Sequence, residues 1–231
     1  MGERARLIVL GRQGAGKGTQ CVRLAERLGV PHRSTGDLLR AEVAAATPLG
    51  KEVADHLEEG RLVPDDLVLD LVATTLGSPR ARAAGYLLDG FPRTLAQGQA
   101  LFEVLGRDAA HLAIELYVPT EVVRPRLAAR RVCLGCGAVT SAPAGGPECR
   151  TCTECDGEVA RRADDTDEAI KRRLALYEQE SCPLLIWFDR QGLLTSVNGV
   201  GEPEEVFARL TAVVDAALAS RSGGAGLLDS H

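Results

Sequence analysis

The sequence predicts an α/β fold in which a doubly wound, parallel, five-stranded sheet carries helices on both faces. Apolar runs of strand length alternate with segments of helical apolar spacing along most of the chain, as expected when helices connect parallel strands. The first apolar run, Leu7 to Leu10, leads directly into a glycine-rich turn and then into a helical pattern. A later run ends in Asp89, so polar groups should gather at the carboxyl edge of the sheet.

Each element follows from a local pattern of apolar spacing and stop signals. Strands are predicted at residues 7–10, close to residue 31, and at 86–89, 112–118 and 193–198. Helices are predicted at residues 18–28, from the Ser34-Thr35 cap onward, and at 48–58, 64–76, 94–105, 119–131, 167–188 and 203–218. The small, glycine-rich residues 220–231 are predicted to form a mobile tail.

The glycine-rich turn reads Gly-Arg-Gln-Gly-Ala-Gly-Lys-Gly-Thr from Gly11 to Thr19. Without Cβ atoms the backbone can curl its N–H groups inward, and the next helix directs its positive end at the same point. These donors suit a polyphosphate, with Lys17 as a mobile cation. The generic phosphate loop has Ser or Thr where Gly18 stands, so the match to that pattern is imperfect.

Composition limits the classes of partner. At 231 residues and 45% hydrophobic the chain can bury a sizeable core, and its net charge of −5 without a long basic run disfavours nucleic acid and anionic membranes. No signal peptide or apolar stretch of spanning length is visible, so a cytoplasmic protein is expected. In that compartment cysteines bind metal or stay reduced more often than they form disulfides.

Five of the seven cysteines interrupt the regular alternation between Val132 and Ala163. They resemble a zinc ribbon, in which two Cys-x-x-Cys turns place four thiolates around one structural ion. Cys133 and Cys136 form the first turn. The second turn is Cys152 with Cys155, favoured by the following Asp156-Gly157, or Cys149 with Cys152. The remaining Cys21 and Cys182 lie in helical patterns and are predicted to be buried thiols.

Arginines flank this cysteine segment on both sides. Arg126, Arg130 and Arg131 precede it, while Arg161, Arg162, Arg172 and Arg173 follow it. Guanidinium groups at both roots of an insert could close over phosphates, whereas some of them must simply face solvent, because adjacent helical residues point in different directions.

With these stretches together, the sequence resembles the adenylate kinase family in its long-lid, zinc-containing bacterial form. The matching segments are Gly11 to Thr19, Ser34 to Arg40, Leu88 to Arg93 with Gln97, Arg130-Arg131, the cysteines, and Arg162 to Asp165. They cover nearly the whole chain in order. The family also has glycine and then threonine after the loop lysine, which removes the mismatch at Gly18.

The resemblance implies reversible phosphoryl transfer from ATP to AMP, giving two ADP, with Mg²⁺ on ATP, a structural Zn²⁺, and a role in adenine nucleotide homeostasis. It implies that ATP is bound by Gly14, Ala15, Gly16, Lys17, Gly18, Thr19, Arg126, Arg130, Val139, Thr140 and Gly201. It implies that AMP is bound by Thr35, Arg40, Arg61, Leu62, Val63, Gly90, Phe91, Pro92, Arg93, Gln97, Arg162 and Arg173. The groups expected to act on the transferring phosphoryl are Lys17, Arg93, Arg130, Arg162, Arg173 and, orienting the metal through water, Asp89.

The resemblance also implies a division into regions and a set of partners. Residues 1–33, 64–128 and 166–219 would form the core, 34–63 the AMP-binding region, and 129–165 a zinc-containing lid. A monomer that binds ATP, AMP and ADP is expected.

The alternatives are another nucleoside monophosphate kinase or, in a different class, a zinc-ribbon nucleic-acid binder switched by a nucleotide. Thr35 and Gln97 match the adenine-selective members, while Arg12 and Gln13 depart from the small residues and proline often found there.

Overall fold

The computed structural model describes residues 4–76, 78–106, 109–142, 150–162 and 164–224, without the side chains of Arg82 and of residues 222–224. The strands are β1 (Arg6–Leu10), β2 (His32–Ser34), β3 (Tyr86–Asp89), β4 (Leu112–Tyr117), β5 (Arg130–Cys133), β6 (Val139–Ser141), β7 (Val159–Ala160) and β8 (Leu194–Asn198). The helices are α1 (Lys17–Leu28), α2 (Thr35–Ala44), α3 (Pro48–Glu58), α4 (Asp65–Leu76), α5 (Pro79–Ala84), α6 (Leu95–Leu105), α7 (Thr120–Ala129), α8 (Asp167–Leu176), α9 (Cys182–Arg190) and α10 (Pro203–Gly224).

The main sheet has five parallel strands in the order β2, β3, β1, β4, β8, which confirms the predicted fold class. The chain passes from β1 to β2 and back to β3 on one side of β1, and then crosses to β4 on the other side, so the strand order reverses at β1. Ligands of open α/β sheets bind at the carboxyl edge beside such a reversal. The glycine turn after β1 and Asp89 at the end of β3 both lie at this edge.

Both faces of the sheet are covered, because alternate residues of β1 pack into different hydrophobic clusters. Leu7 and Val9 join the side formed with α1, α7, α8 and α10, whereas Ile8 and Leu10 join the side formed with α3, α4, α6 and α9. Strands buried on both faces read as continuous apolar runs, which is why these segments were recognisable in the sequence. Among the described residues, no helix has the length and apolar character needed to span a bilayer.

A second, small sheet carries the cysteines. Strand β5 pairs antiparallel with β6 on one side and β7 on the other, through Val132↔Val139 and Cys133↔Val159. Its buried cluster contains Cys133, Cys152 and Val159, with Ala138 packed against them. So small a core cannot hold an independent unit together, so this sheet depends on its cysteines.

Some element boundaries differ from the predictions. Helix α7 ends at Ala129 because Arg130 adopts an extended conformation, so Arg130 and Arg131 begin β5 rather than end a helix. The helix predicted at 167–188 contains a π-helical turn (Tyr177–Ser181) between α8 and α9. Pro183 at the start of α9 has no N–H to donate to residue 179, which explains the break in the regular pattern there.

Helix α5 was not predicted, and α10 extends to Gly224, so the tail predicted to be mobile is helical over residues 220–224. Residues 225–231 lie outside the described part of the chain.

Candidate active site and cysteine cluster

The turn between β1 and α1 has the shape of a phosphate cradle. Gly14 has φ of +80°, and a Cβ there would lie 2.8 Å from the Leu127 side chain, so no other residue fits. Gly11 approaches the main chain of β4 so closely that a Cβ would lie 2.5 Å from Leu116 O. The exposed Gly16, Gly18 and Thr19 leave the start of α1 open, and its free N–H groups and positive end favour an anion.

The side chain of Lys17 folds back into this turn. Its Nζ donates to Gly11 O at 2.7 Å and to Arg12 O at 3.0 Å. Burial lowers the pKa of Lys17 below its usual value, against the opposing effect of the Asp89 carboxylate, and the charge of Arg93 lowers it further. The ammonium group is therefore held by neutral carbonyls that an anionic ligand can replace.

Asp89 stands beside α1 at the end of β3 and is buried. Its Oδ2 lies 3.4 Å from His32 Nε2 and 3.8 Å from the position that a Cβ would take at Gly18. A carboxylate next to the open start of α1 fits the oxygen ligands that Mg²⁺ prefers, directly or through water.

The predicted arginines converge from distant parts of the chain and bind carboxylates. Arg130 makes a two-point contact with Asp165. Arg173 donates to Asp164 at 2.6 Å and reaches Asp165 at 3.3 Å. These two acids are buried, so the guanidinium groups are fixed by charge-assisted bonds before any ligand binds.

Two further arginines extend the cluster toward α2. Arg40 pairs with Asp37 and lies 3.8 Å from Asp164, and Arg162 lies 3.8 Å from Asp37. Although burial opposes it, Arg40 lowers the pKa of Asp37, and Arg173 likewise lowers the pKa of Asp164.

The positive charge of this cluster is only partly balanced. Burial, together with the charges of Arg173 and Arg40, lowers the pKa of Arg93 to about 10. Burial and the charges of Arg40 and Arg130 lower the pKa of Arg162 to about 10 as well. The part of each shift that comes from neighbouring guanidinium groups reflects positive charge that the nearby carboxylates do not cancel, so the cluster suits a multiply charged anion.

A hydrogen-bonded group between α2, β3 and α6 forms the other side of the cleft. Thr35 Oγ1 donates to Gly90 O at 3.1 Å, and Arg93 Nε donates to the same oxygen at 2.7 Å. Gln97 Oε1 accepts from the Arg93 N–H at 2.8 Å, and its Nε2 donates to Asp65 at 2.7 Å. Gln97 thus fixes the main chain that carries Arg93.

The remaining predicted site residues have varied surroundings. Phe91, Pro92 and Val63 are buried, Leu62 is partly buried, and Arg61 is exposed and pairs with Glu59. Arg126 lies on α7, Val139 and Thr140 lie exposed on β6, and Gly201 follows β8. Among the described residues, none of these last four makes a hydrogen bond or ion pair with the glycine turn.

The four sulfur atoms of Cys133, Cys136, Cys152 and Cys155 lie within 4.8 Å of one another. The Cys133–Cys155 and Cys136–Cys152 pairs are 3.5 and 3.6 Å apart. This is the set that the turn chemistry favours, and the alternative Cys149 lies outside the described residues. Cys182 is exposed, so the prediction that it is a buried thiol is wrong, whereas Cys21 is buried.

The backbone around these cysteines is arranged for thiolates. The N–H of Cys136 and that of Gly135 donate to the Cys133 sulfur at 3.4 and 3.3 Å and lower the pKa of Cys133 to about 6. A Cβ at Gly157 would lie 3.0 Å from the same sulfur, so a larger residue there would crowd the cluster. Four converging thiolates with no open position fit a structural Zn²⁺.

The main site also contains residues that were not among the predicted site residues. Asp37, Asp164 and Asp165 belong to matching segments but had no expected role, and His32 and Asp65 also contact the cleft residues. The contacts of His32 with Asp89 and of Asp65 with Gln97 join residues far apart in the chain, so spacing gave no signal for them. Asp37, in contrast, pairs with Arg40 only three residues away.

Comparison with known proteins agrees with this geometry. The family model described as adenylate kinase matches residues 9–193. The chain is 42% identical over 213 residues to a protein of Thermodesulfovibrio yellowstonii named adenylate kinase, covering 91% of this chain and 99% of the relative. It is 41% identical over 212 residues to a protein of that name from Archaeoglobus fulgidus, covering 90% and 97%. A match over most of both chains shows that this chain belongs to the adenylate kinase family.

Proposed function

We infer that the protein is an ATP:AMP phosphotransferase, which reversibly moves the terminal phosphoryl group of ATP to AMP and yields two ADP. The observation that carries this conclusion is the convergence of Lys17, Arg93, Arg130, Arg162 and Arg173 on one cleft beside the glycine turn. Phosphoryl transfer requires little covalent help from a protein, because positioning and charge stabilisation supply most of the rate. A cleft rich in fixed cations with a nucleotide cradle meets that requirement.

On the donor side, the N–H groups at the start of α1 bind the ATP phosphates, and Lys17 exchanges its bonds to Gly11 O and Arg12 O for phosphate oxygens. The positive charge of Lys17 then stays beside the phosphoryl group as it moves from ATP to AMP. Asp89 would hold Mg²⁺, and that ion would supply charge neutralisation on the phosphates.

On the acceptor side, Arg93 and Arg40 bind the AMP phosphate, and Thr35 and Gln97 face its base. The Arg93 side chain is placed by Gly90 O and its main chain by Gln97. We propose that Gln97 therefore joins base recognition to the placement of the accepting phosphate.

We further propose that residues 129–165 form a lid over the cleft, that 34–63 form the AMP-binding region, and that 1–33, 64–128 and 166–219 form the core. A closing lid would exclude water, which otherwise competes with AMP for the phosphoryl group. The zinc held by the four cysteines would be structural, since the donor set leaves no coordination position for a substrate.

A coupled assay of ADP formation from ATP with AMP, CMP, UMP or GMP tests this function directly. We expect efficient transfer to AMP and kcat/KM lower by roughly 100-fold or more for the other monophosphates, because buried hydrogen-bonding groups left unpaired by a wrong base are costly. A higher kcat/KM for a pyrimidine monophosphate would contradict the assignment of AMP. Absence of transfer to all four would contradict the phosphotransferase itself.

A further inference from the structure

The side chain of Arg12, the second residue of the glycine turn, is held by several contacts. Its Nε and Nη2 donate to Glu178 Oε1 at 3.0 and 2.5 Å, and its Nη1 donates to Val118 O at 3.3 Å. The guanidinium carbon lies 5.5 Å from the centre of the Tyr117 ring and 5.0 Å from that of the Tyr177 ring. Only 12% of the Arg12 side chain is exposed, so this is not an ordinary solvated surface arginine.

The partners of Arg12 belong to the π-helical turn and to the end of β4. Tyr177 and Glu178 are the first two residues of that turn, and Tyr177 OH donates to Glu115 of β4 at 3.2 Å. The last residue of the turn, Ser181, donates from Oγ to Arg93 O at 3.4 Å. One short segment therefore contacts both the glycine turn and the main chain of Arg93. Single π-helical turns occur often at functional sites.

The main chain of Arg12 connects this side-chain network to Lys17. Arg12 O accepts from Lys17 Nζ at 3.0 Å and from Ala15 N–H at 3.2 Å. Because the guanidinium is tied to Glu178, Val118 and two rings, the position of Arg12 O is tied to them as well. Arg12 therefore holds Lys17 in its resting position, and residues outside the glycine turn hold Arg12.

We propose that Arg12 is a positioning residue for phosphoryl transfer. Its clamp on the π-helical turn holds the glycine turn, and with it Lys17, at a set distance from Arg93. This inference rests on the proposed phosphotransferase function and adds a residue that does not itself touch the reacting groups. Loss of this clamp should lower kcat, because even a small displacement of a catalytic cation weakens its stabilisation of the transition state.

The test compares the wild type with Arg12→Met, Glu178→Gln and the double variant in the coupled ATP and AMP assay. We expect Arg12→Met to lower kcat roughly 10-fold, since charge-assisted contacts are lost, while KM for AMP stays unchanged. Glu178→Gln should lower kcat less, and the double variant should match Arg12→Met, because both changes break one unit. Arg27→Met is the matched control: it removes an exposed pair with Asp215 near the end of α1 and should leave kcat unchanged.

The folded fraction of each variant, from circular dichroism at the assay temperature, separates positioning from stability, since a merely structural role leaves kcat per folded molecule unchanged. An unaltered kcat in Arg12→Met, or losses that add in the double variant, would overturn the proposal. If Arg12→Met does not fold, Glu178→Gln decides alone: a lower kcat per folded molecule with unchanged KM for AMP supports the clamp, and a wild-type kcat overturns it. Wild-type enzyme without transfer activity would instead refute the proposed function.

Discussion

The cysteine cluster suits a cation and the arginine cleft suits an anion, and the chain assembles these two sites in different ways. The cysteines come from one segment, 133–155, on a sheet with a very small buried core. The cleft draws its groups from Lys17 to Arg173, placed by strands and helices that rest on the two large clusters of the main sheet. A local site can depend on its ion for stability, whereas a site of distant residues depends on the fold.

The two regions also differ in how they balance charge before a ligand binds. The cysteine sulfurs accept hydrogen bonds from backbone N–H groups, those of Gly135, Cys136 and Glu154. The arginines have carboxylates among them, Asp37, Asp164 and Asp165. We therefore expect removal of the zinc to unfold the small sheet, and an empty cleft to remain folded.

The largest expected effect tests whether the cleft can lose its function while the cysteine sheet stays intact. Lys17→Met removes the cation beside the transferring group, so kcat should fall by roughly 100-fold to 1,000-fold while the bound zinc and melting temperature stay close to wild type. Kinetics, metal analysis and calorimetry on the same sample measure all three. Loss of zinc in Lys17→Met, or nearly normal turnover, would show that the two regions are not divided as described.

The next effect tests whether the cysteine sheet depends on its zinc for stability. Cys133→Ser removes one thiolate, so the protein should lose its zinc and melt roughly 5–10 °C lower, because metal binding stabilises the small sheet. Cys182→Ser is the control, since that thiol is exposed and lies outside the cluster. Cys149→Ser should also keep its zinc. Zinc retained by Cys155→Ser but lost in Cys149→Ser would reverse the choice between these two ligands.

The smallest effect concerns the acids that stabilise the empty cleft. Arg173 holds the pKa of Asp164 below its usual value despite burial. A carboxyl with a lowered folded-state pKa stabilises the protein above its unfolded pKa and loses this contribution as pH falls toward the folded pKa. The urea midpoint should thus decrease from pH 5 to pH 3, and less steeply in Asp164→Asn. The exposed Asp189→Asn is the control, and an unchanged slope in Asp164→Asn would contradict the role of this acid.

Much of this arrangement could be predicted from the sequence where the signal is local. The apolar runs of the buried strands, the Ser34 cap and the cysteine turns all act within a few residues. The break at Tyr177–Ser181 was missed because Glu178, Gln179 and Glu180 are good helix formers, and only Pro183 signalled it. The pairing of Arg12 with Glu178 joins residues 166 positions apart, so no local pattern announces it.

The central claim is that two nucleotides meet in one cleft, where Lys17 and the arginines offset their mutual repulsion. An inhibitor with two adenosines joined through a polyphosphate should occupy both positions at once, and calorimetric titration of the zinc-loaded protein measures its affinity and stoichiometry. The account predicts one molecule per chain and a melting temperature raised by roughly 5–15 °C. Two independent molecules per chain, or no stabilisation at saturating concentration, would contradict it.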